Sequence, residues 1–354
     1  KDIAVATKWF RKATEQGNAQ AKRILNAMTQ FEKGLDQNST EAIELVRKSA
    51  EQGNAEGEYH LGIMYRDGIG VTKDATEALK WIRKAAEQGF AMAENNLGVR
   101  YAKGEGVPQD HVEAIKWFRK AAEQGNAKSQ YSLAYGYRKG QGVAKNATES
   151  LKWLRKAAEQ GLPIAEYDLG VLCRDGIGVT QDYAAAIQWF RKAAKQGDVA
   201  AQYNLSVMLR NGEGTPKDVV QAVAWCRKAA EQGFPNAESD LGVMYQNGQG
   251  VEKDLAEAMQ WYRKAAEHGY ADAQYNLALM YIRGLGAARN ASEAARWFRK
   301  AAEQGNARGQ FAIGLLYAKG EGVAKDTAEA TKWFRKAAAQ DYEPAIEALK
   351  KFAP

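Results

Sequence analysis

Tryptophan recurs in one phase of a 36-residue period: Trp9, Trp81, Trp117, Trp153, Trp189, Trp225, Trp261, Trp297 and Trp333, with Leu45 in the one phase that lacks it. A period of this length marks an array of stacked supersecondary units. It overrides the two or three globular domains that 354 residues would otherwise suggest. Four segments follow: the end of a truncated repeat at 1–17, a degenerate repeat at 18–53, eight complete repeats at 54–341, and a C-terminal capping helix at 342–354. The degenerate copy lacks the paired-glycine loop that the complete copies share.

The copy at 54–89 reads NAEGEYHLGIMYRDGIGVTKDATEALKWIRKAAEQG. Helical periodicity runs from about Ala55 to Arg66 and again from about Ala75 to Gln88, with DGIGVTKD between. Asp74 followed by Glu77 predicts a capping box at the second helix, and the pair recurs in most copies. Gly89 and its equivalents stand where a left-handed residue ends a helix. Asp341 replaces that glycine in the last copy, so a change in the array is expected there. Two columns of the first helix hold only small residues, one beginning Gly57, Ala93, Ser129 and the other Gly62, Gly98, Ala134. Small residues admit a neighbouring helix closely, and the Leu61 and Trp columns are expected to fill the space around them. One helix pair cannot bury such a face, whereas stacked pairs can. The fold class is therefore an all-α solenoid. At the C-terminus Ala345 and Leu349 keep the first-helix phase, while Glu343, Glu347, Lys350 and Lys351 suit the polar end of a stack.

The motifs A-x-x-x-L-G-x-x-Y (Ala93, Leu97, Gly98, Tyr101), G-x-G-V-x-x-D (Gly104, Gly106, Val107, Asp110) and A-x-x-W-F-R-K-A-A-x-x-G (Ala114 to Gly125) resemble the Sel1-like repeat family, relatives of tetratricopeptide repeats. The resemblance covers about residues 18–354. It implies antiparallel helix pairs in a right-handed superhelix, first helices on a concave face, protein partners, and an exported location, periplasmic or secreted, in bacteria. The chain opens on Lys1, so its first residues say nothing about a leader.

Several function classes lose their chemistry. The G-x-G loops follow a helix rather than a strand and repeat eight times, so they read as turns and not as nucleotide cradles. An Arg-Lys pair follows the Trp phase in every copy, from Arg11-Lys12 to Arg335-Lys336, within a net charge of +7. It could form a nucleic-acid stripe. Glu87 and its equivalents lie one helical turn on, however, so a neutralised structural face is expected and nucleic acid is not. His60, His111 and His268 fall in different repeat phases and offer no metal site. Cys173 and Cys226 replace core residues. No serine begins an S-x-x-K motif, and no cofactor or catalytic constellation stands out, so an enzyme is not expected. No apolar run is long enough to span a membrane. A monomer is expected.

Three columns share one face of the first helices, at spacings of four and three. The first is Tyr59, Asn95, Tyr131, Tyr167, Tyr203 and Tyr275. The second is aliphatic except for Tyr135. The third is Arg66, Arg138, Arg174 and Arg210. Tyr and Arg are favoured at binding hot spots, and Arg forks onto carboxylates. This face is expected to bind a protein or peptide partner with acidic segments. Simple packing between first helices is the competing reading of the Tyr column. A glycan-binding envelope protein, or one that binds anionic lipid peripherally, is the alternative function.

Overall fold

The computed structural model describes residues 40–352. The expectations for 1–17, and for most of 18–53, lie outside the described residues. Among the described residues there are helices and loops and no strand. The described residues fall into two compact units, divided between Ala165 and Glu166. The first holds α1 (Thr40–Glu51), α2 (Ala55–Asp67), α3 (Ala75–Glu87), α4 (Ala91–Lys103), α5 (His111–Glu123), α6 (Ala127–Lys139) and α7 (Ala147–Glu159). The second holds most of α8 (Pro163–Asp175), then α9 (Tyr183–Lys195), α10 (Val199–Asn211), α11 (Val219–Glu231), α12 (Pro235–Asn247), α13 (Leu255–Glu267), α14 (Ala271–Arg283), α15 (Ala291–Glu303), α16 (Ala307–Lys319), α17 (Thr327–Ala338) and α18 (Glu343–Phe352). Each unit stacks helix pairs of the same kind, so the all-α solenoid reading holds.

Local chemistry fixes each pair. The first helix ends on a left-handed glycine, as at Gly104 with φ 76°, whose N–H donates to the Arg100 carbonyl. The second helix ends one residue before another, as at Gly89 with φ 83°; there Gly89 N–H donates to Ala86 and Phe90 N–H to Ala85. Asp341 keeps the same turn with φ 59°, the one positive-φ residue other than glycine among the described residues. The turn therefore survives the substitution that was expected to change the array.

The capping box forms only in half. Asp74 accepts from the N–H groups of Thr76 and Glu77, as a cap should. The Glu77 carboxylate does not reach back to it. It accepts instead from Lys80 Nζ at 2.8 Å and Trp81 Nε1 at 3.1 Å. The Asp74 N–H is taken by the Tyr65 carbonyl of the first helix at 2.9 Å, and the same bond recurs from Asp110 to Tyr101 and from Asp254 to Tyr245. The cap thus closes the two helices of a repeat onto each other.

Packing corrects the expected role of Trp. The residue after Trp, not Trp itself, meets the small column. A Cβ on Gly98 would lie 2.7 Å from Phe118, one on Gly170 2.9 Å from Phe190, and one on Gly242 2.7 Å from Tyr262. Phe190, Tyr262 and Phe334 are among the largest fully buried side chains. Burying each contributes roughly 1.5–3 kcal/mol. Trp itself is half-buried in Trp81, Trp117, Trp189 and Trp225 and buried in Trp153, Trp261, Trp297 and Trp333, so in half of the described copies it fills core as expected. The lysine three residues on covers its ring in every described copy, at 3.9–4.5 Å from the centroid.

The Arg-Lys stripe is structural, by a chemistry different from the one expected. Among the described residues no ion pair joins it to Glu87, Glu123 or their equivalents. Its arginines reach the next repeat: Arg83, Arg119 and Arg263 donate to the hydroxyls of Tyr101, Tyr137 and Tyr281 at 3.3, 2.8 and 2.6 Å. Arg227 and Arg299 do the same to Tyr245 and Tyr317. Leu209 replaces that tyrosine for Arg191, whose buried Nε has no partner among the described residues.

A buried polar column ties each pair at its other end. Gln130 donates to the Ala122 carbonyl at 3.1 Å and accepts from Gln160 Nε2 at 2.7 Å. Gln202, Gln274 and Gln310 repeat the pattern. Glu94 and Glu166 accept the second bond but, ionised, cannot donate the first. Burial pushes both carboxyls above the usual glutamate range, against the pull of Lys120 and Gln124 on Glu94. His268 takes the place of the donor glutamine, with Nδ1 2.8 Å from Glu238. It is a structural link rather than an incidental surface residue.

Candidate functional site

The first-helix face divides into covered and open stretches. Tyr59 is 4% exposed and belongs to the core beneath Phe90, at a ring separation of 5.4 Å, so it offers no surface. Phe90 stands at the N-cap of α4, where it makes no side-chain cap and packs back on the preceding tyrosine instead. Phe234 packs on Tyr203 in the same way at 5.3 Å. Asn126, Asp198 and Asn306 take that position elsewhere and cap their helices. The preceding Asn95, Tyr167 and Tyr275 then lack an aromatic cover from that position. Asn95 accepts from the Ser129 hydroxyl at 2.8 Å. Tyr167 and Tyr275 pack at a tilt on Phe190 and Phe298 at 5.8 and 5.6 Å, and Arg308 lies 4.8 Å over Tyr275. Packing therefore accounts for one side of each ring in this column.

The four arginines differ. Arg66 forks onto Asp67 with bonds of 2.8 and 2.7 Å. Hydrogen bonding to Arg66 holds the Asp67 carboxyl below its usual range. Arg174 forks onto Asp175 and also donates to Asn204. Arg210 pairs with Asp240 at 2.9 Å, beside the Tyr203 hydroxyl, which donates to the same carboxylate at 3.4 Å. Arg138 lies 5.4 Å from the ring centroid of Tyr135. Arg66, Arg174 and Arg210 thus each hold a carboxylate of this chain. Asp240 lies 30 residues beyond Arg210, a partner that column reading did not pair with it.

One pocket of about 300 Å³ opens on this face, in the first unit. Its walls come from Val99 of α4, Ile115 and Phe118 of α5, and Tyr131 and Tyr135 of α6, with His111 at one edge. Tyr135 is 39% exposed, although it occupies the column that is aliphatic elsewhere. The surrounding copy, 126–161, holds Lys128, Arg138, Lys139, Lys145, Lys152, Arg155 and Lys156 against Glu149 and Glu159, a net charge of +5. No other complete copy exceeds +2. The structure thus brings Tyr131 and Tyr135 together at an opening, with Arg138 beside the Tyr135 ring. Sequence reading missed His111 and Gly136 there. The available signal was Gly136 breaking a column of large residues.

Among the described residues no group of three or more His, Cys, Asp and Glu is placed to hold a metal. Both cysteines are buried and in no disulfide, and burial pushes the Cys226 thiol up to about 12. No helix among the described residues is long and apolar enough to cross a membrane.

The fold defines a helix-pair repeat solenoid. The Sel1 repeat model matches at 1–18, 29–54, 55–90, 91–126, 127–162, 163–198, 199–234, 235–270, 271–306 and 307–342. The chain belongs to the Sel1 repeat family. Among solved structures it is similar to c5321, described as a protective antigen of uropathogenic Escherichia coli with an SLR fold, at 40% identity and a TM-score of 0.82. That match covers 86% of this chain and 65% of the antigen, so the chain spans about two thirds of the antigen's length. A Sel1 repeat protein from Oxalobacter formigenes is 37% identical over 87% of this chain and 89% of its own, with a TM-score of 0.65. No curated protein sequence matches the chain. Repeats of this family generally serve as non-enzymatic scaffolds for protein–protein interaction.

Proposed function

We propose that this chain is a scaffold that binds a protein partner through acidic segments along its first-helix face, in the envelope or outside a bacterial cell. The opening at Tyr131 and Tyr135, with Arg138 beside the Tyr135 ring and set in the most basic copy, is the observation that carries this reading. Tyr167, Arg174, Tyr203, Arg210 and Tyr275 stand in the same columns within the second unit. Asn95 borders it in the first. Arg66 contributes through its outer edge. A solenoid supplies such a surface largely preformed, which limits the ordering cost of binding. The similarity to a uropathogen antigen supports an exported setting.

The test is affinity capture from bacterial envelope and eukaryotic extracts, comparing the wild-type chain with a Tyr135→Ala, Arg138→Glu variant. Arg66, Arg174 and Arg210 are left intact, so that the change is confined to the copy that holds the opening. A partner held by the wild type and lost by the variant is the expected result. A partner held equally by both would move binding to the second-helix face or the loops. Capture of no protein would overturn the scaffold reading.

A further inference from the structure

The pocket exists because one residue of a regular column is missing its side chain. In the first unit the column runs Met64, Arg100, Gly136; in the second it runs Leu172, Met208, Met244, Met280, Leu316. Met64, Met208, Met244, Met280 and Leu316 are buried, filling the space between a first helix and the second helices it packs on. Even Arg100 is drawn in. It is 5% exposed, and its Nη1 lies 3.5 Å from the Glu105 carbonyl. A Cβ on Gly136 would lie 3.4 Å from the Gln141 carbonyl, the equivalent of Glu105, and would meet Ile115 Cδ1. The two residues therefore aim at the same place. At Gly136 only the tip of Ile115 enters it, and the rest is open.

We infer that this opening anchors one bulky apolar side chain, such as Phe, Leu or Met, carried on an acidic segment of the protein partner. The inference rests on the scaffold reading and names what that reading recognises. Shape and lining specify the anchor. The occupant lies beside the position that methionine takes in the sister copies, which the Ile115 tip enters here, against Val99, Ile115 and Phe118, with Tyr131 and Tyr135 alongside. Charge specifies the flanks. Lys139 and Lys145 are exposed and unpaired among the described residues, within a copy of net charge +5. α6 carries no acidic residue in its first turn. Such a field draws in acidic chain and repels basic chain, while the apolar hole sets register. A nucleic acid would be drawn by the same charge, but the pocket offers it an aliphatic floor where a methionine fits.

Peptides of fifteen residues rich in Asp and Glu, with Phe, Leu, Met, Ala or Lys at the centre, test this against the whole chain. Affinity is read by fluorescence anisotropy. Occupancy is read by NMR of isotope-labelled Ile δ1 methyls, because the Ile115 methyl lies in the hole. The expected result is a shift of the Ile115 methyl with central Phe, Leu or Met. Affinity should fall at least about tenfold with central Ala. Lys-rich flanks, or Lys139→Glu with Lys145→Glu on exposed positions, should weaken binding by a similar factor. Gly136→Met should abolish the Ile115 shift, with the other isoleucine methyls reporting an intact fold. Equal binding of the Phe and Ala peptides, an unmoved Ile115 methyl at saturation, or an equal Ile115 shift from a single-stranded oligonucleotide would overturn the inference. A partner captured from extracts that ignores Gly136→Met would overturn the pocket alone and leave the scaffold standing.

Discussion

The copies at 126–161 and 234–269 share a backbone plan and differ in what they present. In the second, Val243 and Met244 stand where the first has Tyr135 and Gly136, and Met244 is fully buried. Gln246 stands in place of Arg138, and Asp240 in place of Ser132. Net charge falls from +5 to −3. Both copies keep the aspartate or asparagine cap, the left-handed glycines and the lysine over Trp. The contrast separates two kinds of position. Caps, glycines and the Trp phase build the repeat and are shared by both copies. The second helix turn of the first-helix face is free to be filled or opened, basic or acidic, without altering the frame.

Met244→Gly should have the largest effect. It creates a cavity and places glycine inside a helix, so a loss of about 3–5 kcal/mol is expected. Chemical denaturation measures it, and hydrogen exchange should place the loss in α12 and its neighbours, because repeats contact only adjacent repeats. A loss under about 1 kcal/mol would mean that the column does not carry packing, and the comparison would fail. Gly136→Met is the reverse change. It should stabilise by about 1 kcal/mol, since apolar surface is buried and a helical glycine removed while Ile115 rotates away. Net destabilisation in the same titration would show that Ile115 cannot give way.

The smallest effect sharpens the comparison along the buried polar column. Glu94→Gln should stabilise by about 0.5–1.5 kcal/mol near neutral pH, by letting residue 94 donate to the Ala86 carbonyl as Gln130 does to Ala122. The folded pKa of Glu94 is raised, so folding favours its protonated form. That contribution is fully present below the unfolded glutamate pKa and is lost as pH rises through the folded value. The advantage of the variant should therefore be present at pH 7 and shrink towards zero near pH 4. A gain that is the same at both pH values would show that Glu94 titrates as an ordinary exposed carboxylate.

Much of the frame was legible because its causes are short-range. The second helix was expected from about Ala75 to Gln88, and α3 spans Ala75–Glu87. Gly89 and Gly104 are left-handed because the helix ends there and only a few neighbouring carbonyls need closing. Other features could not be read this way. Trp81 and Ile82 are adjacent, about 100° apart on a helix, and only the approach of α2 decides which one meets Gly62. Glu77 is placed for a capping box, but Trp81 Nε1 and Lys80 compete for its carboxylate. Tyr59 and Tyr131 look alike in the sequence. Phe90 packs over Tyr59, whereas the pocket opens at Tyr131.

The sequence by itself determined the repeat, its two helices, their ends and the family, because each depends on contacts within about five residues or on exact recurrence. The tertiary structure alone decided which side chains are spent on packing and which are left for a partner. Arg210 finding Asp240, Arg83 finding Tyr101 and the opening beside Gly136 all join residues 18 to 36 positions apart, or depend on a side chain absent from its column. Those pairings are set by how one helix lies on the next.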